Sequence, residues 1–426
     1  MDFKRYLAVG VLGLTLFVNG CGQKPVLSGN VSGNTDEIRN ELKYVASIDV
    51  RQGNLKPDYL NENIVVSPDG KMGVFAASKV PKGKLPKGQQ VEYETYLILA
   101  DFINGKVTLL DQGEYISPLQ WSPQGDEILY RKDDNLYIID KAGEAKHRIA
   151  VEAYCGAISP DGTRVAFVQR GKGLFVSGID GSAVKKLTGE SGDWYPVWYP
   201  DSRTLFYFAD RKANLGDGAG RLQGLGRIDV ETGKADILIP EEKGKYRRAE
   251  WVIPGKTMLV NKGWDDGFYE MVVNLETGKV YQLGENAGGK TYSTTVVKAR
   301  GLVYKAQGNK ITSIDSNGRE EKAFTLNQPQ GLQFSRESGV AVSPDGKLLA
   351  YLTQETRDRT ENGGCQVWLA NSDSSNPVRL TGDFSGYQEP VWTPDAKHVI
   401  SIKKDNSSSG DRGFTVKILE ISPVLK

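Results

Sequence analysis

The segment most similar to a nucleotide-binding motif is residues 284–291, GENAGGKT, which match the phosphate-loop pattern GxxxxGK[ST]. A phosphate loop works because its backbone N–H groups and the N-terminus of a following helix cradle the phosphates. Here residues 292–297, YSTTVV, follow the pattern, and these residue types favour a strand. The segment therefore predicts a connection between two strands rather than a nucleotide site.

Residues that could bind a metal or act as nucleophiles are few. The chain has two histidines, His147 and His398, and both are predicted to lie in strands of different structural units. Neither a CxxC pair nor a GxSxG serine elbow occurs in the sequence. Asp265, Asp266 and Glu270 form an acidic group without the Asp/Asn spacing of a calcium loop. The sequence predicts no catalytic residue, no metal site and no cofactor.

A short turn motif recurs along the chain and would define the elements that position any site. It reads Ser-Pro-Asp-Gly or a close variant at residues 67–70, 122–125, 159–162, 199–202, 343–346 and 393–396, with a weaker copy at 253–256 and a degenerate unit near 298–301. Proline presets φ, aspartate bonds nearby backbone groups, and glycine supplies a positive φ. Aliphatic, aromatic and β-branched runs flank each copy, so each predicts a β-hairpin.

The spacing of the turns predicts a repeat architecture. Successive copies lie between 37 and 55 residues apart, and four-stranded propeller blades repeat about every 40–50 residues. The third unit has strand-like runs that end at residue 158 and span 164–169, 173–178 and 184–188. Tryptophans precede four of the turns and are predicted to wedge between neighbouring blades. These are Trp121, Trp198, Trp251 and Trp392.

This W-S-P-D-G repeat followed by an apolar strand resembles that of TolB-like β-propellers, over about residues 64–421. The resemblance implies an all-β propeller fold, and the eight units counted along the chain predict a single eight-bladed β-propeller, with seven blades as the alternative if the degenerate unit is not a blade. The last unit ends without a fourth strand, and an open edge is unfavourable. Residues 44–50, YVASIDV, are predicted to close blade 8 as an N-terminal strand, after one or two helical turns at 35–42.

The loops of such a propeller divide between two faces. The Ser-Pro-Asp-Gly turns lie on one face, while long insertions at 79–94, 210–226, 355–364 and 404–413 project from the other. Long loops on a rigid scaffold commonly carry binding residues. The connectors on this face also carry aromatic and charged residues that are candidates for ligand or partner binding around the channel mouth. They are Tyr115, Tyr154, Trp194, Tyr195, Tyr246, Arg247, Trp264, Asp265, Tyr292 and Tyr387. The alternative interpretation is that these residues pack between the blade ends.

The N-terminus predicts export. Lys4 and Arg5 precede an apolar run at 6–18 that is too short to span a bilayer, and Cys21 follows Asn19-Gly20. This ending resembles a bacterial lipoprotein signal, which implies a signal peptide at 1–20 and a lipid on Cys21; an ordinary signal peptide is the alternative. Residues 21–34 are polar and turn-rich, as expected of a flexible tether.

The composition is that of a globular protein. It has 25% charged and 39% hydrophobic residues and a formal net charge of +1. A near-neutral chain gives no reason to expect nucleic acid or anionic lipid as a partner. Cys155 and Cys365 are predicted to lie in different blades and different strand positions, as two buried thiols.

Function is predicted less directly than fold, because propellers host many activities. Prolyl-oligopeptidase relatives join a propeller to an α/β-hydrolase domain, but no serine elbow and no sequence for a second domain are found. Polysaccharide-lyase propellers need a histidine cluster, which is also missing. The expectation is a non-catalytic, membrane-anchored extracytoplasmic scaffold that binds an envelope protein as a monomer, or acts as an accessory subunit of an envelope complex. The alternative is a carbohydrate-binding or carbohydrate-cleaving propeller with a glycan or peptide at its aromatic channel mouth.

Overall fold

The structure is a computed structural model. It describes residues 44–50, 59–60, 64–79, 94–189, 194–214, 219–243, 245–264, 267–287, 293–326, 332–334, 340–355, 365–381, 386–387, 389–406 and 412–421. The predicted signal peptide, Cys21, the tether and the helical turns at 35–42 lie outside these residues.

The recurring turn folds as the sequence predicts. In the third copy the N–H of Gly162 donates to the carbonyl of Ser159 (2.8 Å), and Gly162 has a φ of 76°. The Ser159 hydroxyl donates to Asp161 Oδ1 (2.5 Å) and accepts from the N–H of Arg164 (3.0 Å). Each turn thus satisfies its own polar groups and joins two antiparallel strands.

Among the described residues, thirty-five strands form eight sheets, and each sheet is one blade. Blade 1 contains β2 (Tyr59–Leu60), β3 (Val65–Val66), β4 (Met72–Lys79), β5 (Glu94–Asp101) and β6 (Lys106–Gly113), and blade 2 contains β7 (Ile116–Trp121), β8 (Glu127–Lys132), β9 (Asn135–Asp140) and β10 (Lys146–Ala150). Blade 3 contains β11 (Ala153–Ile158), β12 (Arg164–Gln169), β13 (Gly173–Gly178) and β14 (Lys185–Lys186). Blade 4 contains β15 (Trp194–Trp198), β16 (Thr204–Asn214), β17 (Ala219–Asp229) and β18 (Ala235–Lys243).

Blades 5 to 8 continue the pattern. Blade 5 contains β19 (Lys245–Ile253), β20 (Thr257–Trp264), β21 (Gly267–Asn274) and β22 (Val280–Ala287), and blade 6 contains β23 (Ser293–Val297), β24 (Leu302–Gln307), β25 (Lys310–Ile314) and β26 (Glu320–Thr325). Blade 7 contains β27 (Leu332–Phe334), β28 (Val340–Val342), β29 (Leu348–Glu355), β30 (Cys365–Asn371) and β31 (Val378–Arg379). Blade 8 contains β32 (Gly386–Tyr387), β33 (Val391–Trp392), β34 (His398–Asn406), β35 (Arg412–Glu420) and β1 (Tyr44–Asp49).

Eight blades are therefore confirmed, and the degenerate sixth unit is one of them. A 3-10 turn at Lys298–Arg300 replaces the missing Ser-Pro-Asp-Gly motif, and Gly301 ends it with a φ of 63°. The predicted closure is confirmed as well. β1 pairs antiparallel with β35, from Tyr44 opposite Leu419 to Asp49 opposite Thr415, and so supplies the outer strand of blade 8.

The tryptophans before the turns connect neighbouring blades, as predicted. The indole N–H of each donates a 2.9 Å hydrogen bond to a backbone carbonyl of the preceding blade, while the ring fills the space between the two sheets. The pairs are Trp121 with Val65, Trp198 with Ala157, Trp251 with Trp198, and Trp392 with Ala341. A buried indole whose N–H is satisfied adds both apolar burial and a fixed geometry.

The hydrogen bonds of the turns define two faces. In seven blades the residue that follows the third strand donates its N–H to the carbonyl of the residue that ends the first turn. The pairs are Phe102 with Lys71, Lys141 with Asp126, Ile179 with Thr163, Val230 with Arg203, Leu275 with Lys256, Ser372 with Lys347, and Ile421 with Lys397. The turn between the first and second strands and the turn that follows the third strand therefore lie on the same side of the ring, which is named the turn face. The opposite side, which carries the connections between second and third strands and between blades, is named the loop face.

We expect the turn aspartates to make stability depend on acid pH. At Asp161 partial burial favours a higher pKa, but the hydrogen bonds from Ser159 and Thr163 outweigh it and lower the pKa below its usual value. A carboxylate whose pKa is lower in the folded than in the unfolded state stabilises the folded protein above about pH 4. This stabilisation is lost as the pH falls through the folded-state pKa. Asp161→Asn should cost about 1 kcal/mol at pH 7.

The measurement is urea unfolding at pH 7 and pH 3. The difference between wild type and Asp161→Asn should be smaller at pH 3 than at pH 7, because part of the wild-type carboxylate is protonated at the lower pH. Glu144→Gln, in an exposed turn nearby, is the control and should change neither value. An Asp161→Asn deficit of equal size at both pH values would contradict the assignment.

Candidate functional site

The loop face is where the predicted partner-binding residues were expected to meet. Backbone hydrogen bonds connect its segments in blades 2 and 3: Asp133 N–H to Tyr115 O, Ala153 N–H to Asp134 O, and Arg170 N–H to Glu152 O, each 2.8 Å. The connectors between blades therefore pack on the hairpins between second and third strands. This packing gives the loop face a defined backbone on that side of the ring.

The predicted insertion at 210–226 is not a loop, and this part of the prediction is wrong. β16 and β17 are eleven residues each and pair without interruption from Thr204 opposite Asp229 to Asn214 opposite Ala219. Residues 215–218 lie outside the described part. The insertion at 404–413 is also partly strand, since β34 reaches Asn406 and β35 begins at Arg412. Residues 80–93 and 356–364, the cores of the other two insertions, lie outside the described residues.

A buried polar link holds the base of this long blade 4 hairpin. Asp210 and Gln223 lie opposite each other and are buried. Gln223 Nε2 donates to Asp210 Oδ2 (3.0 Å), and Gln223 Oε1 accepts from the N–H of Tyr246 in blade 5 (2.7 Å). Lys262 is also buried, with Nζ 5.1 Å from the centre of the Tyr246 ring. Because buried polar groups are costly unless bonded, this link fixes the hairpin to blade 5.

Most of the described aromatic candidates pack into the protein rather than lining an open ring. Tyr195 stacks on Phe208 (centroids 5.2 Å apart), and Phe208 stacks on Tyr246 (5.2 Å). Trp194 meets Phe208 edge-on at 5.4 Å. Tyr246 is fully buried, so its assignment as a ligand-contacting residue at the channel mouth is not supported by its position. The alternative interpretation, packing between blade ends, describes this cluster.

Tyr195, in the first strand of blade 4, packs on the apolar core that blade 4 shares with blade 5. It adopts a φ of 60°, in the left-handed region that β-strand tyrosines rarely occupy. Burial raises the pKa of Tyr195 and raises the pKa of Cys155 to about 11, so this half-buried thiol is not a ready nucleophile.

Tyr115, Tyr154 and Arg247 retain more exposure. Tyr115 is 38% exposed, and the guanidinium carbon of Arg131 lies 4.8 Å from its ring centre. Tyr154 is half-buried, and burial raises the pKa of its hydroxyl. Arg247 is half-buried and lies in a register shift between Tyr246 and Arg248 at the start of β19. These three residues lie at the starts of blades 2, 3 and 5, and no described contact joins them into one pocket.

Four predicted residues are left without side-chain geometry. Asp265 and Tyr292 lie outside the described residues. Trp264 ends β20 and Tyr387 ends β32, so their backbones belong to strands of blades 5 and 8.

The sequence analysis named Glu270 in an acidic group but did not predict the polar row that this residue forms in blade 5. Arg248, Asn261 and Glu270 lie opposite one another across three strands. Glu270 is buried and accepts from Thr294 Oγ1 of blade 6 (3.0 Å), while Arg248 Nη2 donates to Glu250 Oε2 (2.8 Å). Burial raises the pKa of Glu270. Asn261 and Glu270 interrupt runs of apolar residues in their strands. These interruptions were the feature of the sequence that could have indicated a buried polar row.

The remaining chemical candidates are structural. Residues 284–287 of the phosphate-loop match belong to the outer strand β22, and a strand begins again at Ser293, as the sequence predicted. His147 lies in β10 and its Nε2 is 2.9 Å from the carbonyl oxygen of Ile179; His398 begins β34. Among the described residues no His, Cys, Asp and Glu group could hold a metal ion. Within the same part of the chain no helix is long and apolar enough to cross a membrane.

Comparisons with known proteins agree with a propeller and extend the set of relatives. Residues 67–157 match the dipeptidyl peptidase IV (DPP IV) N-terminal region. They span blade 1 from its first turn onward, blade 2 and most of the first strand of blade 3. The uncharacterized peptidase YuxL of Bacillus subtilis is 28% identical over 211 residues, covering 45% of this chain. The match covers only 28% of the length of YuxL. Both matches are similarities over part of this chain, which spans less than a third of the length of YuxL.

Solved structures support the fold alone. The Dos1 propeller aligns with a TM-score of 0.52 at 13% identity, over 89% of this chain and 95% of that one. A putative TolB from Agrobacterium tumefaciens is a more distant neighbour, with a TM-score of 0.38 at 16% identity over 74% of this chain and 95% of that one.

Proposed function

We propose that this protein is a non-catalytic, membrane-anchored propeller outside the cytoplasm, which binds an envelope protein through its loop face. The observation that carries this proposal is the long blade 4 hairpin, β16–β17, whose base is fixed to blade 5 by Asp210 and Gln223. A paired hairpin loses little conformational entropy on binding, because it is already ordered. It is therefore suited to dock a partner.

The packing of the aromatic residues favours a protein partner over a glycan. A sugar platform needs exposed, coplanar rings with carboxylates nearby. Here Tyr195, Phe208 and Tyr246 stack on one another, and Tyr246 has no exposed surface. Their faces are thus used in packing between blades. The partial similarity to the DPP IV N-terminal region and to YuxL is compatible with a binding role, because one fold can host many different functions.

We expect that shortening the hairpin abolishes partner capture. Replacing residues 211–222 with Asn-Gly keeps Asp210 and Gln223 adjacent to a tight two-residue turn. Captured partner in pull-downs from detergent-solubilised membranes should fall at least about tenfold, a loss of about 1.4 kcal/mol or more in binding.

The matched control is Ile103→Arg on the turn face, where Ile103 is 61% exposed and its replacement leaves the loop face intact. It should capture as much partner as wild type. Circular dichroism must show that both variants keep the wild-type melting curve. If the shortened-hairpin variant captured as much partner as wild type, the hairpin would not be the docking element. If no protein were captured and the protein bound specifically on a glycan array, the carbohydrate alternative would be favoured.

We also expect Cys21→Ser to release the protein from membranes, because the anchor is proposed to be a lipid on this cysteine. The measurement is the fraction of protein that sediments with membranes after a salt wash. Wild type should sediment almost entirely and Cys21→Ser should stay in the supernatant. Cys365→Ser is the control and should sediment as wild type. A membrane-bound Cys21→Ser protein would contradict lipid anchoring.

A further inference from the structure

We infer that the turn face is directed toward the lipid surface and the loop face away from it. This inference rests on the proposed lipid anchor at Cys21. The orientation follows from the point at which the chain from Cys21 enters the propeller. The direction of β1 determines which face this entry point lies on. It assigns lipid headgroups to one face and leaves the other for a partner that approaches from the aqueous side.

The register of β1 decides which face the tether reaches. Tyr44 lies opposite Leu419, near the end of β35, and Asp49 lies opposite Thr415. Just beyond that end, the N–H of Ile421 donates to the carbonyl of Lys397 (2.7 Å), which follows the blade 8 turn. Tyr44 is therefore at the turn-face end of the outermost strand of blade 8. The chain that precedes Tyr44 joins the propeller at the rim of the turn face.

The length of the tether makes this entry point matter. Twenty-two residues separate Cys21 from Tyr44. A flexible chain of this length has an r.m.s. end-to-end distance of about 25 Å. A six-residue strand is about 20 Å long. To bring the loop face against the membrane, the tether would have to run past the whole height of a blade before reaching lipid. That detour uses most of the tether's reach of about 25 Å. Fewer of its conformations therefore reach lipid past the loop face than from the turn-face rim, and the anchored protein is biased toward one orientation.

The two faces differ in a way that suits these roles. The described turns are short and bond their own polar groups, as Ser67 Oγ does with Asp69 (2.6 Å) and Ser343 Oγ with Asp345 (2.6 Å). Ile103, 61% exposed, is on the turn face of blade 1. Blade 1 packs on blade 8 through the core that contains Ile48 and Phe75, so Ile103 is on the anchored side of the ring. The paired hairpin of blade 4 projects from the other face.

The test measures the distance of each face from lipid by energy transfer. The acylated protein is reconstituted into phosphatidylcholine vesicles that carry rhodamine-labelled headgroups, in a Cys155→Ser, Cys365→Ser background. Single labelling sites are introduced on the turn face by Ala142→Cys and Asn317→Cys, and on the loop face by Lys172→Cys and Asn309→Cys. All four positions are exposed. Blades 2 and 3 lie roughly across the ring from blade 6, so a simple tilt cannot mimic the result.

Both turn-face labels should transfer energy at least about twice as efficiently as the loop-face labels. Inserting forty Gly/Ser residues before Tyr44 should reduce this difference, because a longer chain gives free rotation. Equal transfer from both faces, or stronger transfer from the loop face, would overturn the orientation while leaving the anchor intact. Failure of the protein to associate with vesicles would instead overturn the anchor on which the orientation depends.

Discussion

Trp198→Ala is expected to lower the free energy of unfolding by about 3–5 kcal/mol, the usual cost of removing a large buried ring. Trp198 is 5% exposed and packs between blades 3 and 4. Its indole N–H donates to the carbonyl of Ala157 (2.9 Å), and the guanidinium carbon of Arg164 lies 5.6 Å from its ring centre. Truncation leaves a cavity at the seam and an unbonded carbonyl. The measurement is denaturant unfolding followed by circular dichroism.

Trp198→Phe is the matched control for this prediction. It keeps an aromatic ring at the seam but removes the indole N–H, so it should cost clearly less than the alanine change. A further comparison is Trp392→Ala, which removes the equivalent bond to Ala341 between blades 7 and 8 and should cost a similar amount. A loss below about 1 kcal/mol for Trp198→Ala would show that the tryptophans do not hold neighbouring blades together.

Removal of the closing strand is expected to have the second large effect. Ile48 and Val50 are buried in the core between blades 8 and 1. Loss of each side chain alone would cost about 2–5 kcal/mol for isoleucine and somewhat less for valine. Deletion also exposes β35, from Thr415 to Leu419, as an unpaired edge. We therefore expect a deletion through residue 50 to lower the melting temperature strongly and to cause aggregation.

Two truncated chains separate this effect from loss of the tether. One lacks residues 1–42 and keeps β1; the other lacks residues 1–50. Differential scanning calorimetry and size-exclusion chromatography should show a stable monomer for the first and a destabilised, self-associating protein for the second. Identical melting temperatures would mean that pairing of β1 with β35 does not contribute to closure.

The sequence determined the repeat and its closure because these depend on local chemistry. A Ser-Pro-Asp-Gly turn contains every donor, acceptor and preset φ that it needs, as the bonds of Ser159, Asp161 and Gly162 show. Strands beside such turns could be predicted almost to the residue in blade 3. The closing strand followed from the requirement that no sheet edge stay open.

The tertiary structure decided where polar and aromatic side chains lie, because those positions depend on neighbouring blades. Residues 210–214 and 219–226 lack the alternation of a strand, and they pair because each segment supplies the other's backbone partners. Tyr246 looked like a connector residue, but Phe208 from blade 4 covers its ring. Glu270 is buried where blade 5 packs on blade 6, and it accepts a hydrogen bond from Thr294 Oγ1 of blade 6. Contacts between residues tens of positions apart leave little trace in a local pattern, which is why the fold could be predicted and the candidate site could not.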